Sequence, residues 1–320
     1  MIHPPQDSAS AALDSRRLTA RQSAEYFLNI VRLLDHAVDR DLVTTLTFLS
    51  IARANLRGFT KDPDRALRYA TMDAIPPDSE RVPVTVYAIA KELGIPYETV
   101  RRHAAKLRKD GLCESVPGGV IIPTRAYFSA SMLGAVQAHW ALTQDLVNSA
   151  GGLPTPIADP PAGDVSRQVV RLGIDYFLDV LALIGRTLEV DALGALVIRA
   201  VSFVNIEQHA FDPNAYPEVP IGPADSEREP VSVYAVAKVL SLPYETTRRH
   251  VRRLMERGLL EKSGAGVIVP EKVSARPQVL AGIGELTART EAYLARLAEL
   301  GVRPGGGPPA VLVNARADGT

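Results

Sequence analysis

The stretch PVTVYAIAKELGIPYETVRRHAAKLRKDGLCESVPGGVIIP, Pro83 to Pro123, returns as PVSVYAVAKVLSLPYETTRRHVRRLMERGLLEKSGAGVIVP, Pro230 to Pro270, with no gap and more than half of the positions identical. Whatever one copy forms, the other must also form. The match extends upstream. DSER at Asp78 to Arg81 recurs in register as DSER at Asp225 to Arg228, and AEYFLNIVRLL near Ala24 is similar to IDYFLDVLALI near Ile174 at an offset three residues larger, so repeat 1 carries a short insertion. This period is too long for solenoid units of about 20 to 50 residues. It predicts two copies of a whole domain, repeat 1 over 19–151 and repeat 2 over 165–302. The Pro- and Gly-rich stretch 152–164 reads as their linker, and 1–18 and 303–320 as flexible ends.

The 320 residues suit two domains of ordinary size, and 46% hydrophobic with 22% charged residues is a globular composition. The most apolar run, Tyr176 to Val204, is interrupted by Asp179, Arg186, Glu189, Asp191 and Arg199, which argues against a membrane span. The opening MIHPPQDSASAALDSRR shows no secretory signal, and the lone cysteine, Cys113, excludes an internal disulfide and any Cys-based metal site. A reducing cytoplasm is the expected compartment. Lys plus Arg equals Asp plus Glu at 36 each. The charge is unevenly spread, however: Arg101 to Lys109 holds five cations and no acid, and Arg248 to Arg253 holds four arginines.

Apolar spacing predicts a helix over 19–36 and a second over 41–56, with counterparts at about 164–188 and 190–206. Each module is followed by another helical pattern, 126–149 and 277–300. Within module 1, PVTV is a short extended entry, and VYAIAKEL reads as a helix that places Ala90 and Leu93 inward. Gly94, Ile95 and Pro96 break it, and a second helix runs to Asp110 before Gly111. LCESV, the turn PGG and VIIP then read as a hairpin. The stretches 57–82 and 207–229 read as long acidic loops, in which an effector-binding role stays open. The fold class expected is mainly α with small β-wings.

Helix, short turn, helix and hairpin is the winged helix-turn-helix order. On the residues VYAIAKELGIPYETVRRHAAKLRKDGLCES, the module resembles the DNA-binding domain of bacterial winged-helix regulators of the MarR and IclR type. The likeness covers about 83–123 and 230–270. It implies two tandem winged-helix domains with flanking helices in a pseudo-twofold arrangement, bound to double-stranded DNA at two half-sites and associated with the nucleoid. The flanking helices loosely resemble those that form the dimer in MarR proteins.

On the second helix Val100, Ala104 and Leu107 share one face and should be buried. Facing outward are Glu98, Arg102, Ala105 and Lys109, flanked by Arg101 and Lys106, and in repeat 2 Glu245, Arg249, Arg252 and Glu256, flanked by Arg248 and Arg253. Outward arginines suit guanine O6 and N7, and glutamate the cytosine amino group. Tyr97, Thr99, Tyr244 and Thr246 lie in the first turn, where hydroxyls reach phosphates. Lys262 is the cation of wing 2, whereas wing 1 offers none between Leu112 and Pro123.

Structural readings stand beside these. Glu98 and Arg102, four apart, could form a surface ion pair, and His103 and His250 read as packing residues. Trp140 and His139 could line an effector pocket, with buried packing the stronger reading for Trp140. Cys113 reads as a small apolar residue. His3, His36, His139 and His209 show no metal-ligand spacing, and no catalytic constellation or cofactor motif is visible. The expected function is a sequence-specific transcriptional regulator and not an enzyme. The alternatives are a tandem winged-helix initiator of replication or partition, and a protein-docking adaptor.

Overall fold

A computed structural model describes residues 21–34, 41–60, 62–150, 153, 156, 159–206 and 223–307. The expected flexible start 1–18, most of the 207–229 loop, parts of the 152–164 linker and the tail from 308 lie outside them. Among the described residues the chain is mainly helical, with two antiparallel sheets of two strands each. It divides into two compact units, one of residues 29–182 with 292–320, which holds module 1, and one of residues 1–28 with 183–291, which holds module 2. The divisions at 182 and 291 fall inside helices Ser166–Leu188 and Pro277–Glu299, and not in the 152–164 stretch.

The module-1 unit contains the end of α1 (21–34), then α2 (Leu42–Thr60), α3 (Pro63–Arg68), α4 (Val86–Leu93), α5 (Tyr97–Lys109), β1 (Glu114–Val116), β2 (Gly119–Ile121) and α6 (Ala130–Ser149). Residues 166–182 of α7 (Ser166–Leu188) also belong to it. The module-2 unit contains the rest of α7, then α8 (Ala192–Ile206), α9 (Val233–Val239), α10 (Tyr244–Glu256), β3 (Glu261–Ser263), β4 (Gly266–Ile268), α11 (Glu271–Ser274) and residues 277–291 of α12 (Pro277–Glu299).

Local chemistry explains the two matching modules. The hydroxyls of Thr85 and Ser232 accept from the N–H of Ala88 and Ala235 and start α4 and α9. Gly94 ends α4 in the left-handed region, at φ 65°. Its counterpart, Ser241, takes φ 49° although it carries a Cβ. Pro96 and Pro243 then sit at the start of α5 and α10. The buried stripe on α5 is Val100, Ala104 and Leu107, as the spacing predicts, and on α10 it is Thr247, Val251 and Leu254. These faces pack on α2 and α4 in one unit and on α8 and α9 in the other.

Each hairpin is held by a third extended segment and by one buried asparagine. Val84 bridges Val120, and Val231 bridges Val267. A Cβ on Gly119 would lie 2.2 Å from the Val84 carbonyl oxygen, and one on Gly266 would lie 2.7 Å from the Val231 backbone, so only glycine fits there. Asn55 of α2 donates to the carbonyls of Val82 (2.8 Å) and Val120 (3.2 Å), and its Oδ1 accepts from Ile122 N–H at 2.8 Å. Asn205 of α8 repeats the arrangement with Glu229, Val267 and Val269. Both asparagines are fully buried, so these bonds satisfy backbone groups that water cannot reach.

The repeated DSER also has a structural role. Asp78 Oδ1 accepts from Thr124 N–H at 2.6 Å and pairs with buried Arg81, and Asp225 does the same with Glu271 N–H and buried Arg228. Burial opposes ionisation of Asp78, but the bonds from Thr124 and Arg81 prevail and lower its pKa. The stretch 57–82 departs from the long loop expected from sequence. It contains the end of α2, then α3, begun by Asp62 accepting from Arg65 N–H with Pro63 first in the helix, and a 3₁₀ turn over Asp78–Glu80. The pattern after module 1 is likewise two elements, a 3₁₀ turn over Thr124–Phe128 followed by α6.

Candidate functional site

With the apolar stripe of α5 buried, its opposite face is left to solvent. Glu98, Arg101, Arg102, Lys106, Arg108 and Lys109 are exposed and Thr99 is half-buried. On α10, Glu245, Arg248, Arg249, Arg252, Arg253 and Glu256 are exposed and Thr246 is half-buried. Tyr97 and Tyr244, the first residues of the two helices, are 45% and 47% exposed. Lys262 is exposed on β3.

The ion pairs divide these side chains into two groups. Glu98 holds Arg101 at 2.8 Å and Glu245 holds Arg248 at 2.9 Å, both three residues apart. The alternative reading of Glu98 and Arg102 as a surface ion pair does not hold: the carboxylate turns toward Arg101 on the flank of the helix. The hydrogen bond that each arginine donates to its glutamate, with the glutamate's charge, raises the pKa of Arg101 and Arg248. Arg252 pairs with Glu256 at 3.4 Å. Among the described residues, the side chains of Arg102, Arg249, Arg253 and Lys262 make no hydrogen bond or ion pair, and all four residues are exposed.

Lys106 is engaged differently from the outward role expected of it. Its Nζ lies 3.0 Å from Asp41 Oδ2 at the start of α2. Asp41 also accepts from the Thr44 N–H and hydroxyl, and Thr44 Oγ1 lies 2.7 Å from His103 Nδ1. Burial works to raise the pKa of Asp41, but the bonds from Thr44 and Lys106 and the nearness of His103 outweigh it and bring it to about 2. Asp191 caps α8 through Gly194 N–H at 2.7 Å and lies 3.9 Å from His250 Nδ1. Burial lowers the pKa of both histidines against the pull of their aspartates. His103 and His250 thus set α5 and α10 against the capped starts of α2 and α8, a packing role.

Three features lie outside the sequence reading. Tyr87 and Tyr234, near the starts of α4 and α9, are 67% and 69% exposed, the most exposed large apolar residues described. The repeated VYA was their available signal. Arg108 Nη1 donates to Ser115 Oγ of β1 at 2.9 Å and Arg125 pairs with Glu114, so the hairpin β1–β2, which has no cation of its own, receives them from α5 and from the turn that follows. Asp41 and Asp191 leave only a helix-capping trace in the sequence.

Of the remaining candidates, Cys113 is buried and burial pushes its thiol up to about 11, far from a reactive thiolate. Trp140 is buried and is not among the residues that line the cavity in the module-1 unit, whereas His139 is. Among the described residues, no cluster of His, Cys, Asp and Glu is placed to hold a metal ion, and no helix is long and apolar enough to cross a membrane. His3, His36 and His209 fall outside those residues. No protein-family model, curated protein or solved structure matches the chain.

Proposed function

We propose that the protein is a sequence-specific double-stranded DNA-binding regulator. In this reading each module is a winged helix-turn-helix, α5 and α10 are recognition helices, the hairpins β1–β2 and β3–β4 are wings, and one chain reads two half-sites. The observation that carries it is the repeated outward arginine, Arg102 and Arg249, on the solvent face of a helix whose other face is buried. Neither fold stability nor a surface ion pair accounts for that arginine in both copies. Arginine in this position can form paired bonds to guanine O6 and N7. Tyr87, Tyr97, Tyr234 and Tyr244, exposed at helix starts, supply hydroxyls suited to phosphate oxygens. Lys262 and Arg108 place one cation at each hairpin.

The test is selection of bound sequences from a randomised duplex library at near-physiological salt, with Arg102→Ala/Arg249→Ala as the control. Enrichment of a two-part motif by the wild type alone is the expected result. A protein that enriches nothing, or a double variant that enriches the same motif, overturns the reading. Binding to no duplex even at low salt favours a protein-docking module.

A further inference from the structure

The solvent faces of α5 and α10 are alike in their first half and unlike in their second. YETVRRH and YETTRRH differ only at Val100 and Thr247, and both of these are buried. Even the ion pair is repeated, Glu98 with Arg101 and Glu245 with Arg248. Beyond the histidine, every position outside the buried stripe changes. Ala105, Lys106, Arg108 and Lys109 stand where α10 has Arg252, Arg253, Met255 and Glu256. Core packing does not dictate that difference.

The outward line of α10 runs Glu245, Arg249, Arg252 and Glu256, at spacings that keep one helix face. Arg252 therefore continues the line that Arg249 begins. Its Nε lies 3.4 Å from Glu256 Oε1, yet it donates no hydrogen bond among the described residues, whereas Arg248 donates three to Glu245. An exposed pair of this kind is weak. The guanidinium fork of Arg252 can be given up to guanine O6 and N7, and Glu256 can accept from a cytosine amino group. In α5 the same place holds Ala105, which has no hydrogen-bonding group and suits a thymine methyl. Lys109, one turn on, makes no ion pair among the described residues and suits a phosphate.

The cation beside each hairpin, in contrast, is kept by exchange. In module 1 it comes from the helix, where Arg108 donates to Ser115 of β1. In module 2 the helix position is Met255 and the strand position is Lys262. The charge moves from helix to hairpin and stays at the same corner of the module. Phosphate attraction, which carries no sequence information, is thus supplied in both copies. The difference falls on the side chains suited to bases.

We infer that the DNA partner is a non-palindromic duplex with two unequal half-sites. The halves share the base pairs met by Arg102 and Arg249 and differ beyond them. The α10 half carries a G·C pair selected by Arg252 with Glu256, and the α5 half has no such selection at that place. This inference rests on the reading of α5 and α10 as recognition helices. A site of this kind gives the bound protein one orientation along the duplex.

The test is selection from a randomised duplex library with the full chain, with Arg252→Ala and with Ala105→Arg/Lys109→Glu, followed by anisotropy on single base-pair replacements. The wild type should give two unlike halves, and replacing the G·C pair of one half should weaken binding at least about fivefold. Arg252→Ala should bring that discrimination below about twofold and leave the shared positions as they were. Ala105→Arg/Lys109→Glu should make the other half select G·C at the same place, so that the halves become alike. Circular dichroism checks that both variants fold. Two like halves from the wild type overturn this inference and leave the DNA reading standing, whereas no motif from any of the three proteins overturns both. Unlike halves that persist unchanged in both variants assign the difference to other residues and also overturn the inference.

Discussion

The carboxylate of Glu98 holds the guanidinium of Arg101 at 2.8 Å, while Arg102, the next residue, makes no ion pair among the described residues. The same division recurs between Arg248 and Arg249. An arginine already neutralised by its own helix gains less from a duplex than one facing water. Arg102→Ala or Arg249→Ala should therefore weaken binding to the selected site by about 5- to 150-fold, the equivalent of roughly 1–3 kcal/mol. Arg101→Ala should cost less than about threefold. Fluorescence anisotropy with one labelled duplex ranks the three variants, and the reverse order would remove α5 as the reader.

Asn55 and Asn205 each serve three backbone groups that water cannot reach. Asn55→Ala should destabilise the module-1 unit by roughly 2–4 kcal/mol, because the Val82 carbonyl and the Ile122 N–H lose their partner and the Val120 carbonyl keeps only the Val84 N–H. Asn55→Asp should be worse, since its second oxygen would face carbonyl oxygens. Urea unfolding measures both. A loss under about 1 kcal/mol for Asn55→Ala would show that the hairpin does not depend on this side chain.

Gly94 and Ser241 hold the same left-handed position, at φ 65° and φ 49°. A residue with a Cβ costs roughly 1–2 kcal/mol there, partly offset by the greater unfolded freedom of glycine. Ser241→Gly should raise stability by about 0.5–1 kcal/mol and Gly94→Ala should lower it by a similar amount. Thermal unfolding of the pair should give shifts of opposite sign.

His139 has its pKa lowered by burial from 6.5 to about 4. The unfolded chain therefore binds its proton more readily. The resulting stability is complete above about pH 6.5 and is lost as pH falls toward 4, with a slope near 1.4 kcal/mol per pH unit around pH 5. His103 and His250 act in the same direction, and Asp41 adds a further loss below about pH 4. His139→Leu should reduce the slope near pH 5 by about 1 kcal/mol per unit, measured as urea midpoints between pH 4.5 and 7. An unchanged slope would show that the buried ring does not govern it.

Much of the module could be read from its letters because its signals are local. A cap at Thr85, a stop at Gly94 and the stripe Val100, Ala104, Leu107 each act within a turn or two of chain. α3 was equally legible, since Asp62, Pro63 and Asp64 spell a helix start, but acidic residues between two periodic segments read as loop. Other relationships were hidden because they join residues far apart. Nothing near Asp41 marks Lys106 or His103 as its partners, and nothing near Asn55 marks Val120. The choice of Glu98 for Arg101 over Arg102 turns on side-chain direction, which spacing alone does not decide. Arg81, Tyr127 and Arg167 come from separate segments, and only the fold brings these residues to the lining of one cavity.

Residues 166–182, which repeat 2 encodes, are counted in the unit that holds module 1, and residues 21–28, which repeat 1 encodes, in the unit that holds module 2. Neither repeat taken alone therefore supplies every helix segment of the unit that holds its module, so a chain cut between the repeats would leave both units incomplete. Because both modules lie on one chain, each position can also differ from its counterpart, as Thr247 differs from Val100 and Glu256 from Lys109.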